Sequence, residues 1–329
     1  MHTPNFWHQP SLLGTLLSPL GALYGAATIV AQSVHVPAHA DLPIIAVGNA
    51  VLGGAGKTPV TISLARMLQQ MGEQPHLLSR GYGGTPNATP LRVDVAQHNP
   101  NIVGDEPLLL AHTAPCWVHK KRDLSAVAAH QNGASVCIMD DGLQHTSLHR
   151  DLSLLVIDTH YGNGNGHIFP AGPLREPFAR ALDKAHALVL IGKSPCTLAL
   201  PSTLPQFRAS IMPDNAWLAL RDKPVIAFAG LARPSKFFAL CEASGMRLIE
   251  TFAFPDHHRY SRNDIAGLLA QAKRAGATLV CTEKDGVKLT ASEREQIHVL
   301  PITIAWQNEP ALQHFLSTEL ASIRAGAIK

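Results

Sequence analysis

A chain of 329 residues, 46% hydrophobic and 16% charged, has enough apolar side chains for a buried core and enough length for two domains, which excludes a disordered chain. A net charge of +3, with no basic stripe carrying interleaved aromatics, argues against a nucleic-acid partner. The five cysteines are scattered and no Cys/His spacing resembles a zinc site, so a reducing, cytosolic compartment fits better than a disulfide framework.

Residues 1–40 contain no Asp, Glu, Lys or Arg. Leu12, Leu13, Leu16, Leu17, Leu20, Leu23, Tyr24 and Ala27 recur at helical spacing, with Gly14, Thr15, Ser18, Gly21 and Gly25 on the other face. A signal peptide would open with a positive region, which is missing. A spanning helix would be interrupted by Pro19 and has no flanking Lys or Arg to orient it. The pattern predicts a helix lying in a membrane interface, ahead of a core-packing helix or a spanning one.

From residue 42 onward, apolar runs alternate with helical patterns. Residues 42–48 read as a strand, followed by Gly48-Asn49-Ala50-Val51-Leu52-Gly53-Gly54-Ala55-Gly56-Lys57-Thr58 and a helix over 57–71. Strand, glycine-rich loop and helix in that order are the setting of a phosphate-binding loop. There the backbone of Gly53, Gly54, Ala55 and Gly56 turns its N–H groups toward phosphate oxygens, Lys57 reaches the β- and γ-phosphates, and the Thr58 hydroxyl ligates Mg²⁺. The spacing departs from the common pattern at Val51, where a glycine is usual, and the plainer alternative is a glycine-rich turn before an ordinary helix.

A strand over 75–80 runs into the turn Ser79-Arg80-Gly81-Tyr82-Gly83-Gly84. Gly104-Asp105-Glu106-Pro107 precedes a helix over 107–113 and by itself reads as an acidic helix start. Lys120-Lys121-Arg122 could meet anionic substrate groups, although a solvated face is the commoner use of such a run. After a helix over 124–132, a strand over 135–140 ends at Asp140-Asp141-Gly142-Leu143-Gln144-His145. Paired carboxylates at a strand end repel unless a cation intervenes, and beside a phosphate-binding loop they are Mg²⁺ ligand candidates. Further strands over 152–158 and 186–192 complete the pattern of a parallel sheet covered on both faces.

Residues 194–224, rich in Pro, Ser and Thr, read as a junction. A second α/β unit follows, with strands over 225–229, 247–254, 278–282 and 298–304 and helices over 235–244, 262–275 and 310–323. In its segment Phe254-Pro255-Asp256-His257-His258-Arg259-Tyr260, either histidine could serve proton chemistry or be an ordinary surface residue. The expected organisation is a P-loop domain over 1–215 that carries the membrane-associated helix, with a smaller α/β domain over 216–329 closing a cleft.

In order and spacing these segments resemble the tetraacyldisaccharide 4′-kinases of lipid A biosynthesis. The resemblance runs through the loop at 48–58, then 79–84, 104–107 and 140–145. It continues through Phe169-Pro170-Ala171-Gly172-Pro173-Leu174-Arg175-Glu176-Pro177, then 254–257 and Cys281-Thr282-Glu283-Lys284-Asp285. It implies an ATP- and Mg²⁺-dependent transfer of phosphate to the 4′-hydroxyl of a tetraacylated glucosamine disaccharide 1-phosphate, at the cytoplasmic face of the bacterial inner membrane. By motif match, Asp105 would be the base, His257 its partner and Glu106 their neighbour. Asp140, Asp141, Gln144 and His145 would lie on the nucleotide–metal side. Arg80, Tyr82, Arg122, Arg175 and Glu176 would line the substrate cleft. Leu143 stands where the family usually shows Phe, a difference expected to affect packing alone. The implied partners are the acylated disaccharide lipid and the membrane surface, with no obligate protein partner. The rival reading is a membrane-associated P-loop ATPase switch activated by a partner. A small-molecule kinase of central metabolism leaves the charge-free N-terminus unexplained.

Overall fold

The computed structural model describes residues 4–34, 36–85 and 88–326. The first three residues of the charge-free N-terminal stretch therefore lie outside the described residues. Helix α1 (Leu12–Ser33) opens at Ser11, whose side chain accepts a hydrogen bond from the Gly14 N–H. It does not break at Pro19. Proline has no N–H for the Thr15 carbonyl, and the Ser18 hydroxyl donates to that carbonyl instead, at 2.8 Å.

The two faces of α1 have separate partners. Gly14, Gly21 and Gly25 are buried against residues 165–171, and a Cβ at Gly21 would come within 2.6 Å of the Ile168 carbonyl. On the opposite face Leu12 is 86% exposed, and Leu16, Leu20, Leu23 and Val30 are exposed as well. By length and composition α1 could cross a membrane.

The main body then unfolds in chain order. It begins with β1 (Ile44–Gly48), α2 (Lys57–Gln70), β2 (Pro75–Ser79), β3 (Leu91–Arg92), α3 (Pro100–Val103), α4 (Asp105–Ala111) and β4 (Cys116–Val118). It continues with α5 (Arg122–Gln131), β5 (Val136–Asp140), β6 (Leu152–Asp158), α6 (Phe178–Asp183), β7 (Ala187–Ile191) and β8 (Gln206–Pro213). The smaller unit adds β9 (Pro224–Ala229), α7 (Pro234–Ala243), β10 (Arg247–Ala253), α8 (Arg262–Ala275), β11 (Thr278–Thr282), α9 (Glu283–Gly286), α10 (Ala291–Arg294) and β12 (His298–Leu300). The chain closes with β13 (Ile302–Trp306) and α11 (Glu309–Gly326).

Two sheets result, in the orders β13-β8-β7-β6-β1-β5-β2-β4-β3 and β10-β9-β11-β12. The large sheet is parallel except at its two ends, where β13 and β3 run antiparallel to their neighbours. Its inner strands are buried along their whole length because helices cover both faces. The small sheet is parallel throughout, with α7 packed on one face and α8 on the other.

The chain departs from the expected plan at two places. The run 298–304 is not one strand, because Pro301 cannot donate to the ladder. Its first half ends the small sheet as β12, and its second half pairs with β8 in the large sheet. Helix α11 follows β13 back and buries Leu312, Leu316 and Leu320 in the large core. The small sheet thus spans 224–300, narrower than the expected domain over 216–329, and the last segment belongs with the first sheet. The expected junction 194–224 likewise contains β8, whose alternating exposure hides it in a polar stretch.

Candidate active site

Parallel pairing sets the first half of the site. Val47 at the end of β1 is in register with Asp140 at the end of β5, so the glycine-rich loop and the Asp140-Asp141 pair emerge side by side at one sheet edge. Gly56 enters α2 with φ 89°, a left-handed conformation that suits glycine, and no side chain caps the helix, which leaves its first N–H groups open. Beneath the loop, Leu143 is fully buried and packs against Gly48.

Lys57 Nζ lies 3.0 Å from Asn49 Oδ1 and 3.5 Å from Asp141 Oδ1. The Thr58 hydroxyl donates to Asp140 Oδ2 at 3.0 Å, and the Thr61 hydroxyl to Asp140 Oδ1 at 2.9 Å. Arg175 Nη1 is 2.9 Å from both oxygens of Asp141 and 3.3 Å from Gln144 Oε1. Gln144 Nε2 in turn donates to the Asn49 carbonyl and to Glu176. Burial, Glu106 and Asp141 push the Asp140 carboxyl up to about 6. Burial would raise Asp141 as well, but Lys57, Arg175 and Arg122 hold it well below the usual carboxylate range. Lys57 acts on both carboxyls, but at Asp140 it does not outweigh burial and the two neighbouring acids.

The second half of the site crosses between the sheets. Asp105, at the first turn of α4, is 5% exposed, and His257 from the loop after β10 sets its Nδ1 3.0 Å from each carboxylate oxygen. Lys284, from α9, places Nζ 3.2 Å from Glu106, 3.3 Å from Asp256 and 3.4 Å from His257 Nε2. Lys288 Nζ is 3.6 Å from Asp105, and the Tyr82 ring lies 5.1 Å from the His257 ring. Burial works against ionisation of Asp105, but His257, Lys284 and Lys288 outweigh it and bring the carboxyl down to about 2. Asp141 and His257 also share a positive φ, 52° and 58°, uncommon for side-chain-bearing residues and a form of strain that clusters at functional sites.

A cavity of about 1330 Å³ joins the two halves, lined among others by Lys57, Thr58, Glu106, Asp140, Asp141, His257 and Lys284, with Arg80, Tyr82 and Arg175 at its walls. Three expected residues are also tied to neighbouring groups, and Arg122 and His145 line the cavity as well. Arg122 is 4% exposed and donates to the backbone carbonyls of Asp140 (2.9 Å) and Asp141 (3.2 Å), so it braces the acidic turn from behind. Glu176 is 1% exposed and is held by Lys184 and Gln144. His145 turns its Nε2 to the Ser147 hydroxyl, and burial together with Arg122, Arg150 and Arg80 brings its ring down to about 3, which keeps it neutral.

Arg122→Ala is expected to cost about 3 kcal/mol of unfolding free energy, because it leaves a cavity and two buried carbonyls without a donor. An unchanged urea-unfolding midpoint would refute that bracing role.

Several participants escaped the sequence reading. Lys284 lies in a motif that carried no assigned role, and Asn49 was read only as a loop residue. Asp158, at the end of β6, binds Lys236 and, at 2.9 Å, Arg233 from the small unit. Arg233 also donates to the Gly54 carbonyl and lies 4.3 Å over the Tyr161 ring. No local motif marks these two cations, and only the folded chain brings them to the loop.

The donor set fits a magnesium nucleotide. Asp140 lies beside the Thr58 hydroxyl, Asp141 and Glu106 line the same cavity, and among the described residues Arg122 Nε and Arg175 Nε are buried without a hydrogen-bond partner. Among the described residues no cluster of three or more His, Cys, Asp or Glu is arranged for a metal. Magnesium that arrives with a nucleotide needs only one or two protein carboxylates.

A family model described as tetraacyldisaccharide-1-P 4′-kinase matches residues 13–321. The tetraacyldisaccharide 4′-kinase of Paramagnetospirillum magneticum is 46% identical over 312 residues, which cover 93% of this chain and 95% of the relative. That of Methylobacterium sp. (strain 4-46) is 46% identical over 334 residues, 99% of each chain. Among solved structures, the "apo" form of LpxK from Aquifex aeolicus in complex with ATP superposes with a TM-score of 0.77 at 26% identity, covering 94% of this chain and all of that one.

Proposed function

The chain belongs to the tetraacyldisaccharide-1-P 4′-kinase family, and on that premise we propose that its two half-sites transfer the γ-phosphate of ATP to the 4′-hydroxyl of a tetraacylated glucosamine disaccharide 1-phosphate. The observation that carries this reading is the Asp105–His257 pair, assembled from two units, whose His257 lines the cavity of the glycine-rich loop.

Lys57 and the open N–H groups of α2 bind the β- and γ-phosphates and stabilise the charge that grows between them. Thr58 and Asp140 would hold Mg²⁺, with Asp141 beside them. When bound, that ion neutralises charge on the transferring phosphoryl group. Asp141 stays ionised and aligns Lys57 through their 3.5 Å contact. Asp105 orients the sugar hydroxyl and accepts its proton late in transfer, when even a weak base suffices. His257 donates to Asp105 and fixes its carboxylate, while Lys284 draws Glu106, Asp256 and His257 into one charged cluster. Arg80, Tyr82 and Arg175 line the acceptor's path, Glu176 holds Gln144 in place, and His145 shapes the nucleotide side as a neutral ring. The test is transfer of labelled γ-phosphate to an isolated acylated disaccharide, with label recovered in lipid. ATP hydrolysis without lipid label would favour the partner-activated ATPase, a reading in which the Asp105–His257 pair has no task.

Helix α1 is proposed to lie in the cytoplasmic face of the inner membrane, its glycine face on the protein and its leucine face in the acyl layer. Replacing Leu12, Leu16 and Leu20 by Glu should leave the fold intact, because all are exposed, and should abolish co-sedimentation with phospholipid vesicles. Unchanged sedimentation would remove α1 from the membrane contact.

A further inference from the structure

Asp285, the last residue of the segment 281–285, is fully buried, and four donors fill its two oxygens. The Gly230 N–H (3.1 Å) and the Thr282 hydroxyl (2.7 Å) bind Oδ2. The Tyr260 hydroxyl and Lys288 Nζ, each at 2.9 Å, bind Oδ1. Gly230 follows β9, Tyr260 stands in the loop after β10, and Thr282 ends β11. One carboxylate therefore ties together three neighbouring strand ends of the small sheet. The approach is so close that a Cβ at Gly230 would lie 3.0 Å from both Asp285 Oδ1 and the Tyr260 hydroxyl. The loop tied through Tyr260 also carries His257, and the turn after Asp285 carries Lys288.

Lys288 is confined to an unusual degree for a lysine. Its side chain is 6% exposed, and its Nζ lies between two carboxylates, 2.9 Å from Asp285 and 3.6 Å from Asp105 Oδ2. It also stands 5.6 Å from the centre of the Tyr260 ring. Asp285 is already bonded by three uncharged donors, so the ammonium has charge to share with Asp105 across the cleft. Lys284 is drawn instead to Glu106 and Asp256, and meets the pair through His257. Around Asp105 the Glu106 N–H anchors Oδ1 at 3.0 Å and His257 spans both oxygens, while Lys288 engages Oδ2 alone. We propose that Lys288, aimed by Asp285, is a positioning residue that fixes Oδ2 of Asp105 toward the acceptor hydroxyl. The inference rests on the kinase reading and deepens it.

The test follows transfer of labelled γ-phosphate to the acylated disaccharide 1-phosphate in detergent micelles. Lys288→Met keeps the apolar stem and is expected to lower kcat about 10–100-fold, the scale of a misplaced reacting group, with both KM values little changed. Because Lys288 acts through Asp105, the same substitution in an Asp105→Ala background should cost no more than about twofold further. Lys288→Met also strips a buried carboxylate of its cation, so Lys288→Met/Asp285→Asn is measured beside it. Asparagine keeps an oxygen for Gly230 and Thr282 and can donate to the Tyr260 hydroxyl, so the network stays bonded with both charges gone. This double variant should be as slow as Lys288→Met. An unchanged kcat in Lys288→Met, a double variant that recovers the wild-type kcat, or an equal loss with and without Asp105 would overturn the proposal and leave the lysine a partner of Asp285 alone. Thermal melts that show neither variant folded would overturn it too, since the pair is then a folding element. A wild-type protein that labels no lipid would sink the kinase reading, and this inference with it.

Discussion

Lys57→Ala is expected to lower kcat by about 10³-fold while the protein remains folded, the upper end for loss of one preorganised transition-state group. The lysine begins α2, and its Nζ stands between Asn49 and Asp141 at the mouth of the loop. In the proposed role its charge faces the phosphoryl oxygens as they gather negative charge, so its removal is expected to act on the transition state more than on ground-state binding. Folding should survive, because Arg175 still holds Asp141 and the helix start is capped by no side chain that the substitution disturbs. Single-turnover transfer at saturating ATP, with a thermal melt of the same sample, separates the two effects. A folded variant with near-normal turnover would remove the loop from the chemistry.

The second large effect lies across the cleft. Asp105→Ala should lower kcat by about 10²–10⁴-fold, the range for loss of a general base. His257→Ala should cost less, and the double variant should be little worse than Asp105→Ala, since groups that act as a unit are not additive. The 3.0 Å contacts from His257 Nδ1 to both carboxylate oxygens are the physical reason for that coupling. Apparent ATP affinity should barely move. Multiplying effects in the double variant would mean independent roles. The same pair leaves a trace in stability. With its carboxyl lowered to about 2, Asp105 contributes stability that is complete above its unfolded value of about 4 and is lost as pH falls through about 2. Urea midpoints measured stepwise through that window should fall less steeply for Asp105→Asn than for the wild type.

Much of this arrangement was legible in the chain itself. The alternation of apolar runs with helical patterns located most strands of the parallel sheet, since a buried parallel strand must be apolar throughout. The loop before Lys57 and the acidic turn after β5 were legible because strand ends carry them to one edge. The misses share a cause, compensation from residues elsewhere in the fold or from a neighbouring side chain. Pro19 reads as a break until the Ser18 hydroxyl is seen on the orphaned carbonyl. Arg122 reads as a surface cation until the carbonyls of a turn 18 residues away claim it. Lys284, Arg233 and Lys236 gain much of their meaning from carboxylates on the other unit, a pairing that no local spacing encodes.

The split of residues 298–304 has a further consequence. Ile302, where the chain re-enters the large sheet, is the direct cross-strand partner of Pro213, where it leaves. Everything between them, the whole four-stranded sheet with its helices, is therefore a graft set into the tip of a hairpin formed by β8 and β13. Its two stems are adjacent, so the covalent connections of the graft converge at a single point on the sheet margin. Excising it would leave every rung of the large ladder in place, while removing His257 and Lys284 together. The large ladder is in this sense complete in itself, and the partners of Asp105 are carried on one covalent stalk.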